Sequence, residues 1–407
     1  MVAGSQNPEP PAPLSGVRIL ALEQMQALPF ATQLLARLGA DVVKIEPLAG
    51  ELGRASLPDM ADQTGGRVGA TFLRNNLGKR TLSIDLKNEA GRDLVLRLAP
   101  RFDIFVENFK AGAVSRLGLG YEEVRVVNPE CIYLSISGFG NGPSPYREWP
   151  AYAPIVEAMS GIYELKRIGD QPPVVSPVGA LADIGAGLFA TVAILGALRQ
   201  KDMTGKGQYV DVAMFDSVVA MTDIVANLWS LGLRDGELSP VINHGFRARD
   251  GWFIIQVGRE HHFARLVELI GRPEWITDPR FATRHGWMDH LESDLRPALE
   301  AWASTMTKAQ VCEVLSDAGI AAGPCLRPEE LVVDPHIKSH RMLLEIERTD
   351  GVAQPVLVPG NPIKLRGTAD NNSSVPWLGE NTDEVLKEEL GLSDGEIEKL
   401  RARSVVG

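Results

Sequence analysis

The sequence predicts an α/β protein: a doubly wound, largely parallel sheet in the first half and a smaller α/β domain behind it. Three observations carry this. Short β-branched runs alternate with helical ones from Gly16 to about Ser137, a glycine-rich turn then breaks the alternation, and the texture changes near residues 232–245.

The elements follow in order. Val17–Leu22 reads as a strand, Pro29–Leu38 as a helix closed by Gly39, and Val42–Ile45 as the next strand. Arg80–Leu86, Asp103–Glu107 and Cys131–Ser135 continue the strands, with helical segments near Gly91–Leu98 and Tyr121–Val127. A long helix is expected from about Asp183 to Gln200, a turn at Thr204–Gly207, a strand at Gln208–Met214 and a helix over Asp216–Leu231. The block from Phe246 to Cys325 has its own strand, Trp252–Val257, and helices at Phe263–Ile270, Pro297–Met306 and Lys308–Ala318. Residues 377–398 hold eight acids against one lysine and include the capping pattern Ser393–Glu396, a solvated face.

Composition excludes several classes. The 407 residues carry 52 acidic and 41 basic side chains, a net charge of −11, against the basic surplus that phosphate contacts of a nucleic-acid scaffold require. Three widely spaced cysteines, Cys131, Cys312 and Cys325, make neither a disulfide framework nor a zinc cluster, and point to a reducing, cytoplasmic compartment. Residues 1–13 are polar and proline-rich, expected as a flexible leader and lacking the features of a signal peptide. The most apolar run, Ile184–Leu198, has 15 residues where a membrane span needs about 20, and reads as a buried helix.

Most local motifs yield to bland readings. Gly138-x-Gly140-x-Gly142 has the wrong spacing for a dinucleotide fingerprint and is followed by Pro143, so it reads as a tight turn. The seven histidines, all beyond residue 243, show no metal-ligand spacing, and no metal is expected.

Two features resist. Asp183 is the one charged residue between Asp170 and Arg199, and a carboxylate in apolar surroundings is costly unless something holds it. It is either the N-cap of the helix that follows or a partly desolvated nucleophile, with Gly185 and Gly187 leaving room for a substrate and exposing N–H groups to an oxyanion; the two roles are compatible. Residues 67–116, in turn, hold ten basic and five acidic side chains, and Asn75–Arg80 and Glu107–Lys110 flank strands, where basic loops suit a phosphorylated ligand.

Ordered along the chain stand Leu38–Pro47, Gly78–Leu86, Val106–Phe109, Ile136–Gly140, Ala182–Gly187, Thr204–Asp211 and Leu378–Leu386. Together they resemble the class III CoA-transferases, the family of formyl-CoA transferase and carnitine CoA-transferase, to which α-methylacyl-CoA racemase is related. The resemblance implies a large Rossmann-like CoA-binding domain over residues 14–216, a linker helix and loop over 217–245, a small α/β domain over 246–327, and a return segment over 328–407 that packs on the large domain. It also implies an interlocked homodimer. Asp183 matches the catalytic aspartate; Gln26 and Ala27 match positions near the thioester; Asn75, Asn76, Leu77, Gly78, Lys79, Asn108, Phe109, Lys110 and Arg116 match CoA contacts. The implied reaction moves CoA from an acyl-CoA donor to a carboxylic acid through an aspartyl anhydride and an aspartyl-CoA thioester, with acyl-CoA and acid as its only partners and no tightly bound cofactor.

There are departures. Pro150–Pro154 carries neither the histidine of the racemase branch nor the acid of the formyl-CoA branch, which disfavours a racemase or epimerase and leaves a supporting carboxylate missing. The glycine-rich flap of the formyl/oxalate branch is absent around His244–Asp250, which disfavours oxalate as acceptor. Pro47 replaces a CoA-contacting Arg. A non-catalytic acyl-CoA-binding paralogue is opposed by the retention of Asp183 with its glycines.

Overall fold

The computed structural model describes residues 11–61, 66–165, 169–175, 180–232, 240–365, 368 and 374–407; the first ten residues of the expected leader lie outside that set. Contacts divide the chain into two compact units, residues 1–224 with 341–407, and residues 225–340.

The first unit is built on six parallel strands: β1 Arg18–Leu22, β2 Asp41–Glu46, β3 Arg80–Ser83, β4 Ile104–Glu107, β5 Ile132–Ser137 and β6 Tyr209–Ala213, in spatial order β3-β2-β1-β4-β5-β6. The order reverses between β1 and β4, so the chain winds outward in both directions from β1 and leaves a crevice at the carboxyl ends there. Helices α1 (Ala27–Arg37), α2 (Glu89–Leu98), α3 (Ala153–Met159), α4 (Leu181–Thr204) and α5 (Met214–Ala220) connect and cover the strands. Period-two alternation divides the side chains between two apolar layers. Ile19 and Ala21 face the core shared with α1, α3, α4 and α5, whereas Leu20 and Leu22 face that shared with α2 and the C-terminal Val385, Leu386 and Ile397.

The second unit has an antiparallel sheet, β7 (Ile242–Ala248), β8 (Gly251–Val257) and β9 (Ala321–Pro324), ordered β9-β8-β7 over a core including Phe246, Phe253 and Trp287. β7 begins inside the stretch read from sequence as linker. The expected helix over Asp216–Leu231 stops at Ala220, near the point where the Thr222 hydroxyl donates to the Val219 carbonyl (3.3 Å), and single turns follow.

The long apolar helix corrects one expectation. By length and composition α4 suffices to cross a membrane, and its inner face lies in the core of the first unit through Ala182, Ala186, Ala190 and Ile194. Its other face is not buried: Leu181, Leu188, Phe189, Val192 and Leu195 form an exposed stripe at helical spacing, Val192 being 68% exposed. Hydrophobicity along the run gives the helix, but only the partners packed around it decide which side is covered.

Candidate active site

A cavity of about 390 Å³ opens beyond the carboxyl ends of β1, β4, β5 and β6, with Gln26, Asn108, Lys110, Tyr152 and Asp183 on its wall. The segment after β1 is held hard. Met25 adopts φ +60, a left-handed conformation that costs about 1–2 kcal/mol for a side chain with a Cβ. Its N–H donates to Glu51 (3.0 Å), while Asn108 accepts from the Gln24 N–H (2.9 Å) and returns a bond to the Gln24 carbonyl (3.0 Å). The strained residue thereby presents Gln26, the N-cap of α1. Gln26 Nε2 is buried without a partner among the described residues, a free donor on the wall where the positive end of α1 also arrives.

Asp183 enters from α4. Its N-cap is Ala180, and Asp183 is the third helical residue, so the capping reading does not hold. Among the described residues no protein hydrogen bond meets its carboxylate. Burial pushes its pKa up to about 6, with the negative charge of Glu157 the second cause. The glycines also serve a different end from the one expected. A Cβ on Gly187 would stand 2.7 Å from the Ala27 carbonyl oxygen, and one on Gly185 2.2 Å from Met221 Cε. They let α4 pack closely on α1 and Met221 rather than making room for substrate. Lying five and seven residues into the helix, they also have amides beyond the first-turn donors that remain free for an oxyanion.

Pro150–Pro154 carries no carboxylate, as read from the sequence, but a buried acid, Glu157 on α3, stands at the start of α4. Glu157 is 3% exposed, accepts the Ala182 N–H at 3.0 Å and receives the Tyr163 hydroxyl. Nothing in the sequence tied it to Asp183, 26 positions away. Arg147 was missed too: it lines the cavity, and its guanidinium and that of Arg116 both flank Gly112.

The residues matched to CoA contacts divide. Gln26, Ala27, Asn108, Phe109 and Lys110 line the cavity; Asn75, Asn76, Leu77, Gly78, Lys79 and Arg116 do not. Asn75, Asn76, Leu77 and Lys79 are buried, and Lys79 Nζ is committed to Glu23 at 2.6 Å. Gly78 donates to the Ser374 carbonyl (3.2 Å). The basic excess of residues 67–116 is likewise taken up within the fold in part, since Arg80 pairs with Asp41, Glu384 and Glu388, and Arg67 with Asp59. Among the described residues no histidine lines the cavity, and the wall at Pro150, Ala151 and Tyr152 carries neither a carboxylate nor an imidazole.

Comparison with known proteins identifies the family. The model of CoA-transferase family III matches residues 14–382. The formyl-CoA:oxalate CoA-transferase of Streptomyces avermitilis is 34% identical, covering 97% of this chain and 99% of that one. The acetyl-CoA:oxalate CoA-transferase of Acetobacter aceti is 34% identical over 93% and 96%, and the succinyl-CoA:mesaconate CoA-transferase of Haloarcula hispanica 33% over 94% and 97%. The crystal structure of a CAIB/BAIF family protein from Brucella suis superposes with a TM-score of 0.82 at 31% identity, covering 93% of this chain and all of that one. A parallel sheet whose crevice holds a carboxylate, and a family match over nearly the whole length, lead to one conclusion: the chain belongs to CoA-transferase family III, enzymes that transfer a sulfur-containing group.

Proposed function

We propose that the protein moves CoA from an acyl-CoA donor to a small or medium carboxylic acid, with Asp183 as nucleophile. The observation that carries this is a carboxylate on the cavity wall, met by no cation or hydrogen-bond donor among the described residues, in the same cavity as Gln26, whose Nε2 has no partner among them. An Asp183 oxygen attacks the thioester carbonyl, and the resulting oxyanion meets Gln26 Nε2 and the amino end of α1. The C–S bond breaks, leaving an acyl-aspartyl anhydride and CoA thiolate. The thiolate then attacks the aspartyl carbonyl, releasing the donor acid and forming an aspartyl-CoA thioester. The acceptor carboxylate repeats both steps in reverse and frees Asp183. A carboxylate is suited to this exchange because acyl groups of similar leaving ability trade CoA without ATP, and dry walls keep water from the anhydride. Lys110 and Arg147 are the cavity cations available to the phosphates of CoA.

The acceptor differs among relatives of nearly equal identity, oxalate in two and mesaconate in the third, so overall identity does not choose the acid. The exposed stripe of α4 supports a homodimer, and the family resemblance supports its interlocked form. Val192→Arg is expected to shift the molar mass in light scattering toward that of one chain. Incubation with an acyl-CoA and hydroxylamine should place a hydroxamate on Asp183, read by peptide mass spectrometry. Full transferase activity in Asp183→Asn would sink the mechanism.

A further inference from the structure

Glu157 is a buried acid that the reaction above does not use. It lies one turn after Ala153 on the inner face of α3, and both are 3% exposed. Among the described residues each of its carboxylate oxygens has one polar partner: the Ala182 N–H donates to Oε1 at 3.0 Å, and the Tyr163 hydroxyl to Oε2. The first is one of the four amides that begin α4 without an intrahelical acceptor, so Glu157 does for α4 what its own N-cap, Ala180, cannot. Ala182 directly precedes Asp183, and the bond therefore fixes the turn that carries the nucleophile.

We propose that Glu157 is a positioning residue of the transfer reaction, docking the first turn of α4 through the Ala182 amide and setting a second negative charge beside Asp183. The inference rests on the reading of Asp183 as nucleophile.

The surroundings make the charge effective. Along α4 no other charged side chain occurs before Arg199. α5, which also packs on α3, carries one acid, the exposed Asp216, and the turn after α3 carries Tyr163 and the exposed Glu164. Of the cavity cations, Lys110 pairs with Glu148 at 3.2 Å, while Arg147 stands at Gly112. Like charges in a poorly solvated corner favour the protonated acid, in keeping with the upward displacement of Asp183 by burial first and Glu157 second. A more basic carboxylate is the stronger nucleophile toward a thioester, and with its acid limb near 6 it is still largely ionised at neutral pH.

The test uses the full chain with succinyl-CoA and hydroxylamine, reading release of free CoA thiol against pH. Glu157→Gln retains an oxygen for the Ala182 amide and removes the charge; its acid limb is expected to move down by about one pH unit, with folding intact by circular dichroism. Glu157→Leu removes the dock as well and is expected to lower kcat by about 10²-fold with KM little changed. An acid limb unmoved in Glu157→Gln overturns the proposal, and this remains decisive even where Glu157→Leu fails to fold. Asp183→Asn, run alongside, separates the two ideas. If it is inactive while Glu157→Gln keeps the wild-type limb, only the role of Glu157 falls; if it keeps full activity, the nucleophile reading falls and this inference with it.

Discussion

Two groups of acids in the first unit are treated oppositely. Beside β1 and β2, every acid has a cation: Glu23 holds Lys79 at 2.6 Å and Lys44 at 3.8 Å, Glu51 holds Lys44 at 3.2 Å, and Glu46 accepts two bonds from Arg54, each 2.7 Å. Burial acts to raise the Glu23 pKa, yet Lys79 and Lys44 hold it below the usual value. Burial also brings Lys79 down to about 8. At the start of α4, by contrast, Glu157 binds the amide next to Asp183 and neither acid has such a cation among the described residues; burial first and the Glu157 charge second push the Asp183 pKa up to about 6. Paired charges make a scaffold, and that scaffold props the strained Met25 through Glu51. An unpaired carboxylate keeps its lone pairs available for a carbonyl carbon.

This contrast can be broken experimentally. The largest effect expected is on activity. Asp183→Asn should lose CoA transfer by about 10⁴-fold or more in a thiol-release or exchange assay, since a carboxamide cannot act as the nucleophile. Next, Glu23→Gln should destabilise the first unit by about 3–5 kcal/mol, measured by denaturant unfolding, because Lys79 is left buried beside a neutral amide. A loss under 1 kcal/mol would remove the distinction between the two corners.

The smallest effect has the opposite sign. A carboxyl raised to about 6 in the folded state penalises folding above that pH, and the penalty disappears as pH falls below its unfolded value near 4. Asp183→Asn should therefore be more stable than the wild type by about 1–2 kcal/mol at pH 8, with the gain gone at pH 4. Equal stability at both pH values would show that Asp183 carries no folding cost.

Much of the fold was legible along the chain because it rests on local periodicity. All six parallel strands, α1, α2 and α4 follow from β-branched runs and helical spacing, with no end more than four residues off. β7 was hidden: its residues, Ile242–Ala248, include His244, Gly245 and Arg247 and pass for a loop until β8 pairs with them. Part of the candidate site was legible too. Asp183 stood out as one charge in an apolar stretch, and Gln26, Asn108 and Lys110 lie in loops after strands. Lys79 shows the limit: a lysine after Gly78 looks like a phosphate ligand until Glu23, 56 positions earlier, is found against its ammonium group.

The sequence by itself thus determined the alternation of strands and helices, the family and the isolated acid, since all three are encoded in neighbours and in order along the chain. Tertiary structure alone decided which charges are neutralised and which are left bare. Glu157 binds the amide beside Asp183 because α3 and α4 pack on the same sheet face, and Lys79 pairs with Glu23 because β1 and the segment before β3 converge. Coulomb energy depends on separation and solvent access in the folded chain, neither of which spacing in sequence records.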